Sequence, residues 1–324
     1  MGSSIREQIL NLLLKQGEAT ISGEEISRQL QCSRTAIWKH INELRKEGYQ
    51  IEARPKSGYR LVYRPDRVAP EELKPFLQTK WVGQKVRYKR SVDSTQPLAH
   101  DWAKEGIEEG SLVITEEQIA GRGRMGRAWH SPPHSGIWMS LILRPPIPLA
   151  QASQLTLLTS VAITRAIRKE TGLNVTIKWP NDLLIDGKKT CGILTELRGE
   201  QDQVHYVVQG IGINVNVTDS VWPEELKEIA TSLAIEAGRT FERPPLIASI
   251  LGEIEALYEG YLNHGFQPIR ILWEEYAGML GKTITARTAG GMVKGIATGL
   301  AESGALLVET GKGTEAVFSS DIQI

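Results

Sequence analysis

Only two cysteines, Cys32 and Cys191, stand in 324 residues, far apart and without C-x-x-C spacing. Neither a disulfide framework nor a zinc site has enough ligands, and two free thiols suit a reducing cytoplasm, so no metal held by the protein's own side chains is expected. Net charge is missing as well. The 38 Lys and Arg are balanced by 38 Asp and Glu, which excludes a polycation that coats nucleic acid or membrane in bulk but leaves room for a basic patch. Long apolar runs are absent too: Ile9 to Leu14 is short, is broken by Asn11 and has no small-residue cleavage site behind it, and no later run reaches the roughly 18–20 residues of a membrane span. Arg6 stands where a myristoylation signal needs Ser or Thr. With 41% apolar and 23% charged residues, a chain of this length forms two or three globular units rather than a disordered coil.

The first 64 residues read as three short helices and a hairpin. Ser4-x-x-Glu7 and Ser22-x-x-Glu25 are capping boxes, with Ile21 and Ile26 spaced as a hydrophobic staple around the second. Ser33 caps a third helix with Ile37, Ile41 and Leu44 inward and Gly48 at its end. Ile51 and Ala53 then alternate into a turn at Pro55 to Gly58, and Tyr59, Leu61 and Tyr63 alternate out of it. The outward face of the third helix carries Arg34, Thr35, Trp38, Lys39, Asn42 and Lys46, residue types that touch phosphates and base edges in a major groove. Residues 1–67 hold 12 basic against 8 acidic side chains, and the hairpin tip adds Arg54, Lys56 and Arg60 as a wing. The module resembles a winged helix-turn-helix, with Ser33, Arg34, Thr35, Lys39 and Lys56 as its DNA-binding candidates. A three-helix module with a solvated basic face is the alternative.

Prolines at 65, 70 and 75 mark residues 65–75 as a linker without a sustained apolar face. From 76 to 274 apolar and β-branched runs alternate with amphipathic helices. Strands are expected at Ser111 to Thr115, Gly136 to Leu143, Val175 to Trp179, Leu183 to Ile185, Gly192 to Leu197 and His205 to Val217, and strong helices at Leu149 to Thr171 and Pro245 to His264. The strands around Asp186-Gly187 are too close for crossovers, which makes this an α+β domain with a mixed or antiparallel sheet. Residues 275–324, with glycine at 281, 290, 291, 295, 299, 304, 311 and 313, have the composition of a small β-barrel.

The densest functional signal is Gly121-Arg122-Gly123-Arg124-Met125-Gly126-Arg127-Ala128-Trp129. It satisfies G-x-G-x-x-G, yet Trp129, His130, Ser131, Pro132 and Pro133 cannot open the helix that a dinucleotide fingerprint requires. What remains is a mobile loop whose arginines offer forked donors to a carboxylate or phosphate, expected to be disordered when empty and ordered when filled. A basic loop that binds RNA, or nothing specific, is the bland alternative. Lys178-Trp179-Pro180-Asn181-Asp182 leads into the type I′ turn Asp186-Gly187, so Asp182 and Lys189 can meet across a hairpin, as an anion-holding pair or a surface salt bridge. Ser94-Thr95-Gln96 either caps a helix or faces a ligand. The glycines of Gly210 to Asn216 allow close backbone approach or merely packing.

Ser94-Thr95-Gln96, Gln118 before the arginine loop, Lys178 to Asp182, Lys189 before Gly192, and Gly210 to Asn216 are, in this order, similar to the signatures of biotin protein ligase. The N-terminal module resembles that of the bifunctional form, which also represses biotin genes. The resemblance implies a class II synthetase-like ligase domain and an SH3-like C-terminal barrel. It implies two steps: the biotin carboxylate attacks the α-phosphate of ATP to give biotinyl-5′-AMP, then a lysine of a biotin carboxyl carrier domain attacks the mixed anhydride. It places Ser94, Thr95, Gln96, Gln118, Arg122, Gly123, Arg124 and Lys189 at the biotin and adenylate site, joined by Arg127, and sets Trp129 and Asn214 on the nucleotide side. Lys189, Arg124 and Asp182 are the catalytic candidates, and Mg²⁺ is expected on the phosphates. Gln96 departs from the Asn usual at its position. Operator DNA and, with ligand bound, a second copy docked through the central sheet are the further partners implied, with no membrane. A non-catalytic ligand-sensing transcription factor and a lipoate or octanoate ligase are the competing readings.

Overall fold

The computed structural model describes residues 4–54, 57–200, 202–288, 291–318 and 322–323, in compact units that divide between Phe76 and Leu77. In the first unit, helices α1 (Ile5–Gln16), α2 (Gly23–Leu30) and α3 (Arg34–Lys46) precede an antiparallel hairpin of β1 (Gln50–Arg54) and β2 (Gly58–Tyr63). Ser4, Ser22 and Ser33 each cap a helix, their side chains accepting from the N–H three residues on. The box at α1 is reciprocal, whereas at α2 the Glu25 carboxylate binds Arg28 and Gln29. Ile9, Leu10, Leu13, Ile26, Ile37, Ile41 and Leu44 form the core. Gly58, at φ 107°, lies so close to Ile21 that a Cβ would come within 2.1 Å of its carbonyl oxygen, and Ile21 bridges Tyr59. The order helix, helix, helix, hairpin is as expected.

The segment expected as a bare linker is folded. Pro70 opens a short helix, α4 (Pro70–Leu73), and Val68, Ala69 and Leu73 are buried. Their spacing is too brief for a periodic face to be visible in sequence. Arg6 pairs with Glu47 and Glu71, and Arg67 with Glu47, which ties this segment to the first unit.

The second unit opens with β3 (Val86–Val92), α5 (Thr95–Lys104), β4 (Leu112–Gln118), β5 (Gly136–Leu143) and α6 (Ala152–Thr171). Four more strands follow: β6 (Thr176–Lys178), β7 (Asp182–Ile185), β8 (Lys188–Glu200) and β9 (Gln203–Asn214). They form one sheet ordered β3-β4-β5-β9-β8-β7-β6, parallel between β3 and β4 and antiparallel elsewhere. This is the mixed sheet expected. Central β5 is buried at every position because helices cover both faces. α5 packs on β4, β5 and β9, while α6 lies against β8 and against α8 (Arg243–His264), which follows the short α7 (Leu233–Ala237). The sequence reading missed β3, whose interior Arg-Tyr-Lys-Arg-Ser is half-exposed or exposed at a sheet edge and shows no apolar alternation. It also missed α9 (Gln267–Tyr276), which restarts two residues after the Gly265 that ends α8.

The chain ends in β10 (Thr283–Thr288), β11 (Gly291–Leu300), β12 (Leu306–Thr310), β13 (Gly313–Val317) and β14 (Ile322–Gln323). These form an antiparallel sheet ordered β13-β12-β11-β10-β14 where a small β-barrel was expected. It belongs to the same compact unit as the larger sheet. Gln154 Nε2 donates to the Glu302 carbonyl at 2.8 Å and Trp179 Nε1 to that of Gly304 at 3.2 Å, which joins the two sheets' regions.

Candidate functional site

The arginine loop leaves β4 and returns to β5 by a closed path. Gly123 and Arg127 pair through a 2.8 Å backbone bond, Arg122 bridges Ala128, and the Trp129 N–H donates to the Gly121 carbonyl at 2.9 Å. One 3₁₀ turn, Arg124–Gly126, sits at its tip with Met125 at φ 56°, and no α-helix follows, as the sequence required. These bonds make the loop a hairpin. Arg124 turns inward and donates from Nη1 to Asn181 Oδ1 at 2.9 Å, while Asn181 Nδ2 holds the Ile193 carbonyl at 3.0 Å. The strand-ending Trp179-Pro180-Asn181 thereby fixes one of the loop's arginines.

Across the β7–β8 hairpin, Asp186 and Gly187 have φ of 47° and 82°, the two positive values of a type I′ turn. Lys189 pairs with Leu184 and Asp182 with Gly192, with a register shift between them. Lys189 therefore crosses over Gly192 to reach Asp182, and Nζ lies 2.7 Å from Oδ1. A side chain at 192 would crowd this arrangement, because its Cβ would stand 3.3 Å from that nitrogen and 2.9 Å from the Trp129 ring. Gly212, opposite Gly192 on β9, makes the same allowance: a Cβ there would fall 2.4 Å from Trp129 Nε1. Trp129 lies on a floor of glycines, with Lys189 Nζ 5.2 Å from its ring centre, a distance at which an ammonium is attracted to the indole face. Cys191 is buried next along β8, and burial pushes its thiol far up, so it stays a protonated, inert side chain.

At the start of α5, Ser94, Thr95 and Gln96 are each buried, and Ser94 caps the helix. Gln118 Oε1 accepts from the Thr95 N–H at 3.0 Å and Gln118 Nε2 donates to Ser131 Oγ at 2.9 Å. Thr95 Oγ1 lies 2.7 Å from Ser140 Oγ, which donates to Gln96 Oε1 at 2.8 Å. Asn214, 2% exposed, donates to the Thr231 carbonyl at 3.0 Å while its Oδ1 has no hydrogen-bond partner among the described residues. Ser94 thus caps α5 and also borders a cavity.

One cavity of about 480 Å³ is lined by Ser94, Thr95, Gln96, Gln118, Arg122, Gly123, Arg124, Arg127, Trp129, Asp182, Lys189 and Asn214. All twelve of the ligase region's candidate site residues border it. Trp222, Leu226, Glu228, Ile229 and Ala230 line it as well, held by reciprocal backbone bonds between Lys189 and Ile229 or Thr231. These were missed, since nothing in their sequence signals chemistry. Ser131 and Ser140 were missed for the same reason. Chemically, the cavity joins guanidinium and ammonium groups to an amide-rich wall and suits an anion with a polar ring.

In the first unit, Arg34, Thr35, Lys39 and Trp38 are exposed on α3, Trp38 to 59%. Arg34 pairs with Glu24 at 3.2 Å, and the Ser33 hydroxyl is engaged in capping. Lys56 lies outside the described residues.

Residues 88–214 match the model of the Biotin/lipoate A/B protein ligase family, residues 5–60 an HTH domain and residues 279–324 the Biotin protein ligase C terminal domain. The chain is 48% identical over 324 residues to the bifunctional ligase/repressor BirA of Bacillus subtilis, covering 100% of both. To the protein of the same name in Escherichia coli it is 32% identical over 304 residues, covering 92% of this chain and 90% of the relative. The biotin protein ligase of Aquifex aeolicus in complex with biotin and ATP superposes with a TM-score of 0.65 at 28% identity, over 74% of this chain and 99% of that one. Fold and site define a ligase domain of the biotin/lipoate type behind a helix-turn-helix. The chain belongs to the family of bifunctional ligase/repressors.

Proposed function

We propose that the protein joins biotin to the AMP of ATP with release of pyrophosphate, transfers it to a carrier lysine, and represses transcription with the adenylate bound. The observation that carries this is the convergence of Arg122, Arg124, Arg127 and Lys189 on a cavity that Ser94, Thr95 and Gln118 also line. A carboxylate and a triphosphate repel, so the first step needs cations around both. A biotin carboxylate oxygen attacks the α-phosphorus, the bond to pyrophosphate breaks, and the arginines and Lys189 offset the charge that gathers there. Mg²⁺ enters on the triphosphate, as part of the nucleotide substrate. Trp129 and the loop it anchors keep water from the mixed anhydride. In the second step a lysine amine of a biotin carboxyl carrier domain attacks the acyl carbon, the C–O bond to AMP breaks, and Asp182, held 2.7 Å from Lys189, takes up the amine's proton.

For DNA, α3 supplies Arg34, Thr35 and Lys39, with Ser33 and Lys56 as flanking contacts, and two half-sites require two copies. Dimerisation through the large sheet is supported by β8, since β7 pairs with it only as far as Gly192 and, among the described residues, β9 is the one strand paired with 194–200. ATP, carboxylase and operator are all cytoplasmic, and no helix among the described residues is long and apolar enough to cross a membrane. Isotope exchange between pyrophosphate and ATP, run with biotin, lipoate and octanoate side by side, tests the reading. Exchange with biotin alone is expected. Exchange with lipoate or octanoate instead would overturn the substrate assignment, and none with any acid would leave only a ligand-sensing regulator.

A further inference from the structure

We propose that Glu196, which does not line the cavity, is a positioning residue that sets which groups of the small-ligand end donate and which accept. The proposal rests on the ligase reading above for the identity of that ligand, a cyclic urea. Its basis is a chain of hydrogen bonds in which each hydroxyl has one proton to give.

An ionised carboxylate only accepts, so the atom of Gln96 that lies 3.0 Å from Glu196 Oε2 must be its amide nitrogen. Gln96 Oε1 is thereby turned to Ser140, whose single proton it takes at 2.8 Å. Ser140 must then accept from the Thr95 hydroxyl at 2.7 Å. The Thr95 proton is spent inside the wall, and its oxygen presents only lone pairs to the cavity. Ser94 Oγ accepts from the Gln96 N–H at 3.4 Å and keeps its own proton to donate. An acceptor beside a donor matches the N–H beside C=O of a cyclic urea. Were the Gln96 amide to turn over, its NH₂ would drive the chain backwards: Ser140 would donate to Thr95, whose own proton would go to Gln118 Oε1 at 3.3 Å, and Thr95 would have one lone pair fewer to offer a ligand N–H.

The Glu196 carboxylate is itself held. His100 Nε2 lies 3.1 Å from Oε2, and the Tyr206 hydroxyl lies 3.4 Å from His100 Nδ1, with the two rings 5.6 Å apart. Gln96 and His100 stand one turn apart on α5, so helix and strand present amide, carboxylate and imidazole in sequence. Gly210 completes the arrangement, since a Cβ there would come within 2.9 Å of Gln96 Oε1.

The test is E196Q in the full-length chain, read by pyrophosphate exchange. An amide at 196 can donate as well as accept, which leaves the longer 3.4 Å bond to the Leu194 carbonyl to orient Gln96, so KM for biotin should rise about tenfold, while kcat and KM for ATP stay within about twofold. The pair Q96E/E196Q restores an acceptor at 96 facing an NH₂ at 196 and should bring KM back toward wild type. An unchanged biotin KM in E196Q overturns the proposal, as does a loss spread equally over kcat and both KM values, or a pair worse than the single variant. Should the wild type show no biotin-dependent exchange, the ligase reading fails by itself. Calorimetric titration of biotin into wild type and E196Q then decides the positioning role by the ratio of their Kd values.

Discussion

Glycine at 192 and 212 does what no side chain allows, since each makes room for an indole and one for a lysine as well. Gly212→Ala should expel Trp129 from its seat, and the half-life of enzyme-bound adenylate, followed by filter retention, should fall at least about tenfold. An unaltered half-life would mean that Trp129 shields nothing. Arg124→Ala removes the bond to Asn181, worth about 1 kcal/mol or more, together with a cation that the proposed mechanism sets beside the phosphate. It should speed release of the intermediate about tenfold or more, and unchanged release would refute the role given to the loop. Residues that act through local spacing, such as Asp182 with Lys189 around a two-residue turn, were legible in the sequence. Ser140 and Glu196 were not, because strands β5 and β8 carry them to Gln96 from 44 and 100 residues away.

Among the elements, α8 is fastened to the segment before β3 by Glu255, beside contacts of Trp81 with Tyr258 and Glu259. Glu255 accepts from the N–H groups of Lys80, Trp81 and Val82 at 2.9, 2.9 and 3.0 Å. Burial raises the carboxyl's pKa, yet the three donors outweigh it and hold the group below the ordinary range. A depressed carboxylate stabilises the fold above its unfolded pKa of about 4.3 and loses that contribution as pH falls through the lower folded value. Glu255→Gln should therefore cost about 2 kcal/mol in urea unfolding at pH 7, with the two proteins converging in acid. A difference that persists undiminished below about pH 3 would contradict the charge-based account. Capping serines and turn glycines announced α1, α2, α3 and the β7–β8 turn from sequence alone, because those signals act within four residues. Strand β3 and helix α9 gave no such signal, since tertiary neighbours rather than patterning hold them.

For the molecule as a whole, the zero net charge averages unlike parts. Residues 1–67 carry 12 bases against 8 acids, whereas residues 222–260 carry eight acids against three bases. The compact units divide at Phe76 and Leu77, so deletion of residues 1–76 should abolish operator gel shifts and leave biotin-dependent exchange within about twofold. Shifts that survive the deletion would remove the DNA role from the helix-turn-helix. In the full chain, Lys39→Ala should lower the slope of log affinity against log salt by about one, as expected of a lost phosphate contact.

The seat of Trp129 also makes this protein its own optical instrument. Its indole meets that of Trp138 edge to face with ring centres 6.5 Å apart. Two indoles at that separation couple their electronic transitions and give an exciton pair in circular dichroism. The pair would fade were the loop to lift Trp129 away, so any such opening over the cavity could be followed by light alone, without a label, a ligand or a substituted residue.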